Sequence, residues 1–127
     1  GLSYLNQANI YPPENWGAWS SGREVNMQIP FVLTPPKQLI FNLRAFVNPR
    51  HPEQRVRILF NWKLHQEVTL TQFDNNIITI DVPDLDVLNQ MNLTFELPDH
   101  VSPNRVGGDT NDDRAIAIGL VSVKLVD

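Results

Sequence analysis

The sequence predicts an all-β fold, an antiparallel β-sandwich of two sheets with jelly-roll connections. Three observations lead to this prediction. Six stretches of the chain alternate apolar and polar residues, which is the period of strands that bury one face. Turn segments rich in Pro, Gly, Asn and Asp separate these stretches at intervals of roughly 8 to 15 residues, as in sandwiches. No stretch shows the period of a long amphipathic helix.

The first third of the chain predicts one loop and two strands. Residues 1–22 have no sustained period and predict a structured loop, in which Tyr4 and Leu5 add a short edge strand. Strands follow at about 23–30, closed by Pro30, and at about 38–48.

The middle of the chain predicts a hairpin and two further strands. A strand at about 55–61 turns around 61–64 and returns to residue 71. The remaining elements are a strand at 77–82, a single helical turn at 84–90 with Asp84 as its cap, and a strand at 91–97.

The final strand, at about 115–126, changes phase. Ile116, Ile118 and Leu120 share one face, whereas Val121, Val123 and Leu125 lie on the other. One extra residue in a strand moves every later side chain to the opposite face. We therefore predict a β-bulge near Gly119 to Val121.

Length and composition predict one globular domain, residues 1–127. Domains of roughly 100 to 150 residues are the commonest size, and the hydrophobic fraction of 42% is ordinary.

No apolar run reaches the roughly 18 to 20 residues of a membrane-spanning helix. The chain contains no Cys, which excludes disulfides, thiolate metal sites and a cysteine nucleophile. Because the chain begins at Gly1 without an initiator Met, we expect a domain excised from a longer protein.

The charge of the chain argues against two classes of partner. A net charge of −4 disfavours general binding to nucleic acid or to anionic membranes. The nearest approach to a basic patch is Arg50, Arg55 and Arg57, which we interpret as loop and edge-strand charges that discourage unwanted strand pairing.

The segment from Glu14 to Arg23 is the principal candidate ligand site. Trp16 and Trp19 offer flat faces on which sugar rings can stack, with Glu14, Asn15 and Arg23 hydrogen-bonding to hydroxyls. The alternative is that both Trp side chains close the open end of the sandwich, because Trp is usually well buried.

Trp62 is a further candidate with two opposed indications. It is in phase with Val56, Ile58 and Phe60, which predicts a core position. It also lies where the hairpin turns, which predicts exposure. We favour burial.

The loop that follows residue 98 carries acidic candidates. Asp112 and Asp113 are candidate ligand-binding residues, and with Asp109 they supply oxygen atoms of the kind that calcium prefers. The spacing does not match a calcium-binding loop, so turn formation by Asp and Asn side chains is the favoured interpretation. Pairing of Asp112 or Asp113 with Arg114 or with a distant Arg is a further structural option. We expect no cofactor.

No arrangement of residues indicates catalysis. The three His residues are scattered without metal-site spacing, and the Ser residues lack the strand-turn-helix context of a hydrolase nucleophile. We expect that the isolated domain is not an enzyme.

Two parts of the chain resemble a bacterial accessory domain: residues 14–24 (ENWGAWSSGRE), and residues 97–103 together with 113–120 (LPDHVSP and DRAIAIGL). They are similar to the β-sandwich domain at the C-terminal end of membrane-bound glycosyltransferases and phosphoglycerol-transferase-like enzymes of envelope polysaccharide synthesis. The resemblance spans residues 11–126. Where that family tends to have Asn-Gly at the hairpin turn, this chain has Asn61-Trp62.

The resemblance implies a galactose-binding-like jelly roll that serves as a non-catalytic, carbohydrate-associated module. It implies a periplasmic or extracellular location, a parent membrane protein that is a transferase or another glycan-processing protein, and a glycan as ligand. Neither nucleic acid nor membrane insertion is expected. The alternative is a structural or protein-protein interaction domain with no ligand of its own.

Overall fold

The computed structural model describes residues 6–30, 34–84, 90–108 and 111–127. Nine strands cover most of these residues and confirm the predicted β-sandwich. The strands are β1 (Asn6–Ala8), β2 (Ala18–Trp19), β3 (Glu24–Pro30), β4 (Gln38–Ala45), β5 (Gln54–Phe60), β6 (Lys63–Leu70), β7 (Asn76–Asp81), β8 (Gln90–Glu96) and β9 (Ile118–Val126).

The strands form two antiparallel sheets with the connectivity of a jelly roll. One sheet has the order β1-β3-β8-β5-β6 and the other the order β2-β9-β4-β7. Among the nine strands described, only β5 and β6 follow each other within one sheet, and every other connection passes to the opposite sheet. Strands β2 to β9 thus form the two four-stranded layers of a jelly roll, and β1 extends one layer.

The core lies between the two sheets and follows the period-two pattern. Alternate residues of β4 and β5 are buried, and the Phe41 and Phe95 rings meet edge to face across the sheets with centroids 5.1 Å apart. The remaining side chains of each sheet form an outer face, on which the candidate sites lie.

The predicted bulge in the last strand is confirmed. Asn42 of β4 lies opposite Ser122, but Leu43 lies opposite Leu120, so Val121 is the extra residue on β9. The bulge keeps both Leu120 and Val123 buried although they are three residues apart.

Several predictions differ from the structure or lie outside it. The expected loop at residues 1–22 contains β1 and β2, which are too short to show a period. Tyr4, Leu5 and most of the predicted helical turn, residues 85–89, lie outside the described residues. Among the residues described, no helix has the length and apolar character that crossing a membrane requires.

The interpretation of Arg55 and Arg57 as edge-strand charges is wrong. Their strand, β5, lies inside the sheet between β8 and β6. Arg57 Nε lies 3.2 Å from Glu67 Oε1 and 3.5 Å from Glu96 Oε1, so it bridges the two neighbouring strands. These arginines therefore neutralise carboxylates across the sheet rather than protecting an edge.

Candidate functional site

An aromatic cluster lies at one end of the outer face of the four-stranded sheet. Its members are Trp16, Trp19, Arg44 and Phe73, and we call it the Trp16 cluster. The Trp16 and Trp19 rings meet edge to face with centroids 5.1 Å apart, and the Trp19 and Phe73 rings do so at 6.0 Å. The Arg44 guanidinium carbon lies 4.1 Å from the Trp16 ring centroid and 5.6 Å from that of Phe73.

Two glycines allow Trp16 to lie against the sheet. Gly17 closes a tight turn, in which the Glu14 backbone N–H donates to the Gly17 carbonyl at 2.7 Å, and its φ of +147° favours glycine. A Cβ on Gly119 would lie 2.6 Å from two atoms of the Trp16 ring. The absence of a side chain at residue 119 therefore creates the space that the indole occupies.

The two Trp side chains of the principal candidate site are packed rather than free. Trp19 is 8% exposed and Trp16 is partly buried beneath Arg44, whereas Glu14 and Asn15 are exposed at the turn. The two side chains are therefore packed, as in the alternative that sequence analysis left open, but they lie on the outer face of the four-stranded sheet and do not close the open end of the sandwich.

Arg114 connects two of the predicted site residues. The Asp112 carboxylate accepts hydrogen bonds from Arg114 Nε at 2.9 Å and Nη2 at 2.8 Å, and Arg114 Nη1 lies 3.9 Å from Glu14 Oε2. The hydrogen bonds from Arg114 lower the pKa of Asp112 and, reciprocally, raise that of Arg114. Of the pairings that the sequence left open, the structure contains that of Asp112 with Arg114.

The calcium interpretation receives no support from the part of the chain that the structure describes. No group of three His, Cys, Asp or Glu side chains there is arranged to hold a metal ion. Asp112 is paired with Arg114, Asp113 is exposed, and Asp109 lies outside the described residues.

Arg23 lies apart from the Trp16 cluster. It lines a polar depression of about 340 Å³ with Glu24, Arg57 and Glu96, residues of the five-stranded sheet. The structure therefore separates Arg23 from the Trp residues that precede it in the sequence.

The hairpin that joins β5 to β6 presents Trp62 to solvent, and the prediction that Trp62 is buried is wrong. Phe60 pairs with Lys63, so Asn61 and Trp62 form a two-residue turn with φ of +46° and +65°. Trp62 is 70% exposed. The alternation that predicted burial ends at Phe60, because the chain reverses immediately after it.

The hairpin tip is held by the neighbouring strand. The Asn61 backbone N–H donates to the Asn92 carbonyl at 2.8 Å, and the Asn92 N–H donates to Asn61 Oδ1 at 3.0 Å. These two hydrogen bonds connect the turn to β8. The exposed indole is consequently attached to a fixed turn.

Polar and apolar groups surround the hairpin tip. Leu64 is 46% exposed, and a cavity of about 200 Å³ opens beside it. The His65 ring stands edge-on to the Phe60 ring at 5.1 Å. The lining residues of the cavity are Phe60, Lys63, Leu64, His65, Pro83 and Asp84.

The structure does not bring the three Trp residues together. The eight residues of β6 separate Trp62 from Phe73 of the Trp16 cluster, a distance of about 25 Å along an extended strand. Sequence analysis missed Arg44 and Phe73, because their contacts with Trp16 and Trp19 depend on which strands become neighbours. An outward-facing Arg in a buried strand was the only local signal.

The comparisons with known proteins concern the fold. The sequence matches no protein-family model and no curated protein. One similar solved structure is a family two carbohydrate esterase from Clostridium thermocellum in complex with cellohexaose, with a TM-score of 0.55 and 5% sequence identity; the match covers 95% of this chain and 30% of that chain. Another is an active-site mutant of such an esterase from the same organism, with a TM-score of 0.54, 5% identity and the same two coverages. A third is dimeric latent PorU from Porphyromonas gingivalis (TM-score 0.57, 11% identity, 94% of this chain and 12% of that chain).

These similarities show a shared sandwich fold. This chain spans less than a third of the esterase and about an eighth of PorU, so it is similar to one part of each larger protein.

Proposed function

We propose that this domain is a non-catalytic module that binds a glycan, with the exposed ring of Trp62 as its main contact. One observation carries the proposal: Trp62 is 70% exposed on a fixed turn, whereas Trp19 is buried and Trp16 is covered by Arg44. The likeness of the fold to a carbohydrate esterase solved with cellohexaose supports the choice of ligand class.

The backbone of Trp62 favours a recognition role over a folding role. A bulky residue in the left-handed region costs roughly 1–2 kcal/mol, and the second position of this turn type usually holds Gly. With most of its surface in water, the Trp62 ring gains little from burial. A ligand that stacks on the ring accounts for a residue that the fold itself does not require.

The surroundings of Trp62 suit a polyhydroxylated ligand. An exposed indole face packs against the C–H groups of a sugar ring, and nearby polar groups can hydrogen-bond to its hydroxyls. Lys63, His65 and Asp84 line the adjacent cavity and supply donors and an acceptor. In this arrangement the domain holds the glycan and catalyses no reaction.

We further propose a setting for the module: the periplasm or cell exterior of a bacterium, attached to a glycosyltransferase or another glycan-processing protein of the envelope. The resemblance over residues 11–126 supports this setting. Protease accessibility in intact cells and in spheroplasts tests it. Digestion of the domain only after the cytoplasm is opened would contradict it.

Titration of Trp62→Ala with cellohexaose and with a panel of envelope oligosaccharides tests the glycan contact. We expect at least a tenfold loss of affinity for whichever oligosaccharide the native domain binds, because the stacking surface is gone. Ile77→Ala, at an exposed apolar residue of the other sheet, is the matched control and should change affinity less than threefold. A folded Trp62→Ala protein with unchanged affinity would contradict the assignment of Trp62.

A structural or protein-interaction domain is the second candidate, and the packing of Trp16 and Trp19 favours it. Both side chains contribute to the Trp16 cluster instead of offering free faces. If the native domain binds no member of the oligosaccharide panel, this second function replaces the first. If binding survives Trp62→Ala and is lost in Phe73→Ala, the glycan contacts the Trp16 cluster, as the sequence first suggested.

A further inference from the structure

We propose that Arg44 binds a carboxylate of an acidic sugar residue, at a second site formed by the Trp16 cluster. This inference extends the proposed function to glycans that contain uronic acids. The choice of a sugar as ligand rests on the proposed function. The site lies at the end of the sandwich opposite Trp62, so each site can be tested alone.

Two aromatic rings fix the orientation of the Arg44 guanidinium. Its central carbon lies 4.1 Å from the Trp16 ring centroid and 5.6 Å from that of Phe73. A guanidinium stacked on aromatic rings loses little further conformational freedom when it forms hydrogen bonds. Arg44 is therefore preorganised for a planar anion.

Within the described part of the chain, one buried donor of Arg44 lacks a hydrogen-bond partner. Arg44 Nε is buried without a hydrogen bond, and its one ion pair places Nε 3.4 Å from Asp74 Oδ1 without hydrogen-bond geometry. In contrast, Arg55 donates Nε and Nη2 hydrogen bonds to Asp99 at 2.9 and 2.8 Å, and Arg114 binds Asp112 in the same two-point manner. Because Arg44 Nε is buried while the side chain as a whole is 24% exposed, a ligand carboxylate would bind the Nη end of the guanidinium, where a two-point contact can also form.

The neighbouring groups favour a sugar ring as carrier of the carboxylate. Phe73 is 44% exposed beside the guanidinium and offers an apolar surface to a pyranose. Asn42 precedes Arg44 by two residues on the same outer face, and its Oδ1 has no hydrogen-bond partner. Asp74, the ion-pair partner of Arg44, opposes an incoming anion, but its side chain is 53% exposed, so it can turn toward solvent.

Calorimetric titration with oligogalacturonate, and with cellohexaose as the neutral probe, tests the inference. We expect at least a tenfold loss of oligogalacturonate affinity in both Arg44→Gln and Arg44→Lys, because Lys keeps the charge but cannot form the two-point contact. Asp74→Asn should increase that affinity about threefold. Cellohexaose binding should not change in any of these variants, and Arg105→Gln, which removes an exposed cation elsewhere, is the control for overall charge.

Four results would overturn the inference: no binding of oligogalacturonate by the native domain, unchanged binding in Arg44→Lys, weaker binding in Asp74→Asn, or equal binding of poly-glutamate, which would indicate a peptide ligand. Urea unfolding of each variant separates loss of the site from loss of the fold. If Trp62→Ala leaves cellohexaose binding intact while Arg44→Lys abolishes oligogalacturonate binding, the contact assigned to Trp62 fails and the Arg44 site stands.

Discussion

Because Gly119 has no side chain, the Trp16 ring can pack directly against the sheet. The Trp16 ring occupies the space where a side chain of residue 119 would lie. That ring in turn covers Trp19 and supports Arg44. A change at this glycine therefore affects the whole Trp16 cluster without altering any of its side chains.

We expect Gly119→Ala to destabilise the domain by about 1–3 kcal/mol, the usual cost of inserting a methyl group into a packed position. The added Cβ would lie 2.6 Å from the Trp16 ring, so the indole must move outward. Urea unfolding measures the loss, and a red shift of Trp fluorescence reports the displaced ring.

Gly22→Ala is the matched control for this prediction. A Cβ on Gly22 meets no atom within 4 Å, so the substitution costs only the backbone strain of its φ of +79°. We expect a fluorescence spectrum like that of the native domain. A red shift in the Gly22 variant, or none in the Gly119 variant, would contradict the account of Trp16.

The burial of individual residues was the least predictable property of the sequence. Trp62 has the phase of a core residue but is exposed, because the strand ends at Phe60 and Trp62 is the second residue of the turn that follows. Trp19 lies in a loop-like segment but is buried, because Trp16 and Phe73 pack around it. In both cases the deciding contacts come from residues whose proximity the local pattern does not encode.

At the scale of elements, an ion pair joins the start of β5 to the loop after β8. Arg55 donates to the Asp99 carboxylate from Nε, Nη2 and its backbone N–H. The side-chain hydrogen bond from Arg55 lowers the pKa of Asp99 below its ordinary value of 3.8. A carboxyl whose pKa is lower in the folded protein stabilises the fold above its ordinary pKa, and this contribution is lost as pH falls through the lowered value.

We expect Asp99→Asn to reduce stability at pH 7 and to leave it nearly unchanged at a pH well below 3.8, because protonation removes the same charge from the native domain. Since Arg55 is exposed, solvent screening keeps the effect at pH 7 small. Urea midpoints measured from pH 7 to pH 2 provide the test. Asp81→Asn is the control, because Asp81 accepts a hydrogen bond from the neutral Gln38; an equal loss in both variants at every pH would contradict the role of the ion pair.

The long strands and the bulge could be predicted from the sequence, and the two short strands could not. β3 to β8 each show at least three alternating residues, and the bulge at Val121 appears in the sequence as a change of phase. β2 has two residues, and only its pairing with Leu120 and Gly119 of β9 makes it a strand. A strand of two residues is too short to show an alternating pattern in the sequence, so only its pairing with a neighbouring strand identifies it.

At the scale of the whole molecule, the two layers differ in how their outer strands are protected. β6, at the edge of the five-stranded sheet, carries Lys63, His65 and Glu67 and an irregular register. β7, at the edge of the four-stranded sheet, has one charged residue, Asp81, and an Ile77 side chain that is 60% exposed. Charges and bulges hinder pairing between molecules, so β7 is the less protected edge.

We expect Ile77→Lys to raise the protein concentration at which the domain aggregates on heating, with a change in unfolding free energy of less than about 0.5 kcal/mol, as is usual for surface substitutions. Light scattering during a thermal ramp measures the first quantity and urea unfolding the second. Thr69→Lys on β6 is the control and should have little effect on aggregation. Equal effects of the two substitutions would show that added charge, and not the β7 edge, is responsible.

The position of β9 has a consequence for synthesis of the chain. β9 lies between β2 and β4, and it is the last of the nine strands in sequence. While a ribosome is still adding residues before 118, the layer that contains β2 and β4 lacks its middle strand. Co-translational folding of that layer must therefore wait until β9 has left the exit tunnel, and until then the edge of β4 that pairs with β9 is open to a chaperone or to another chain.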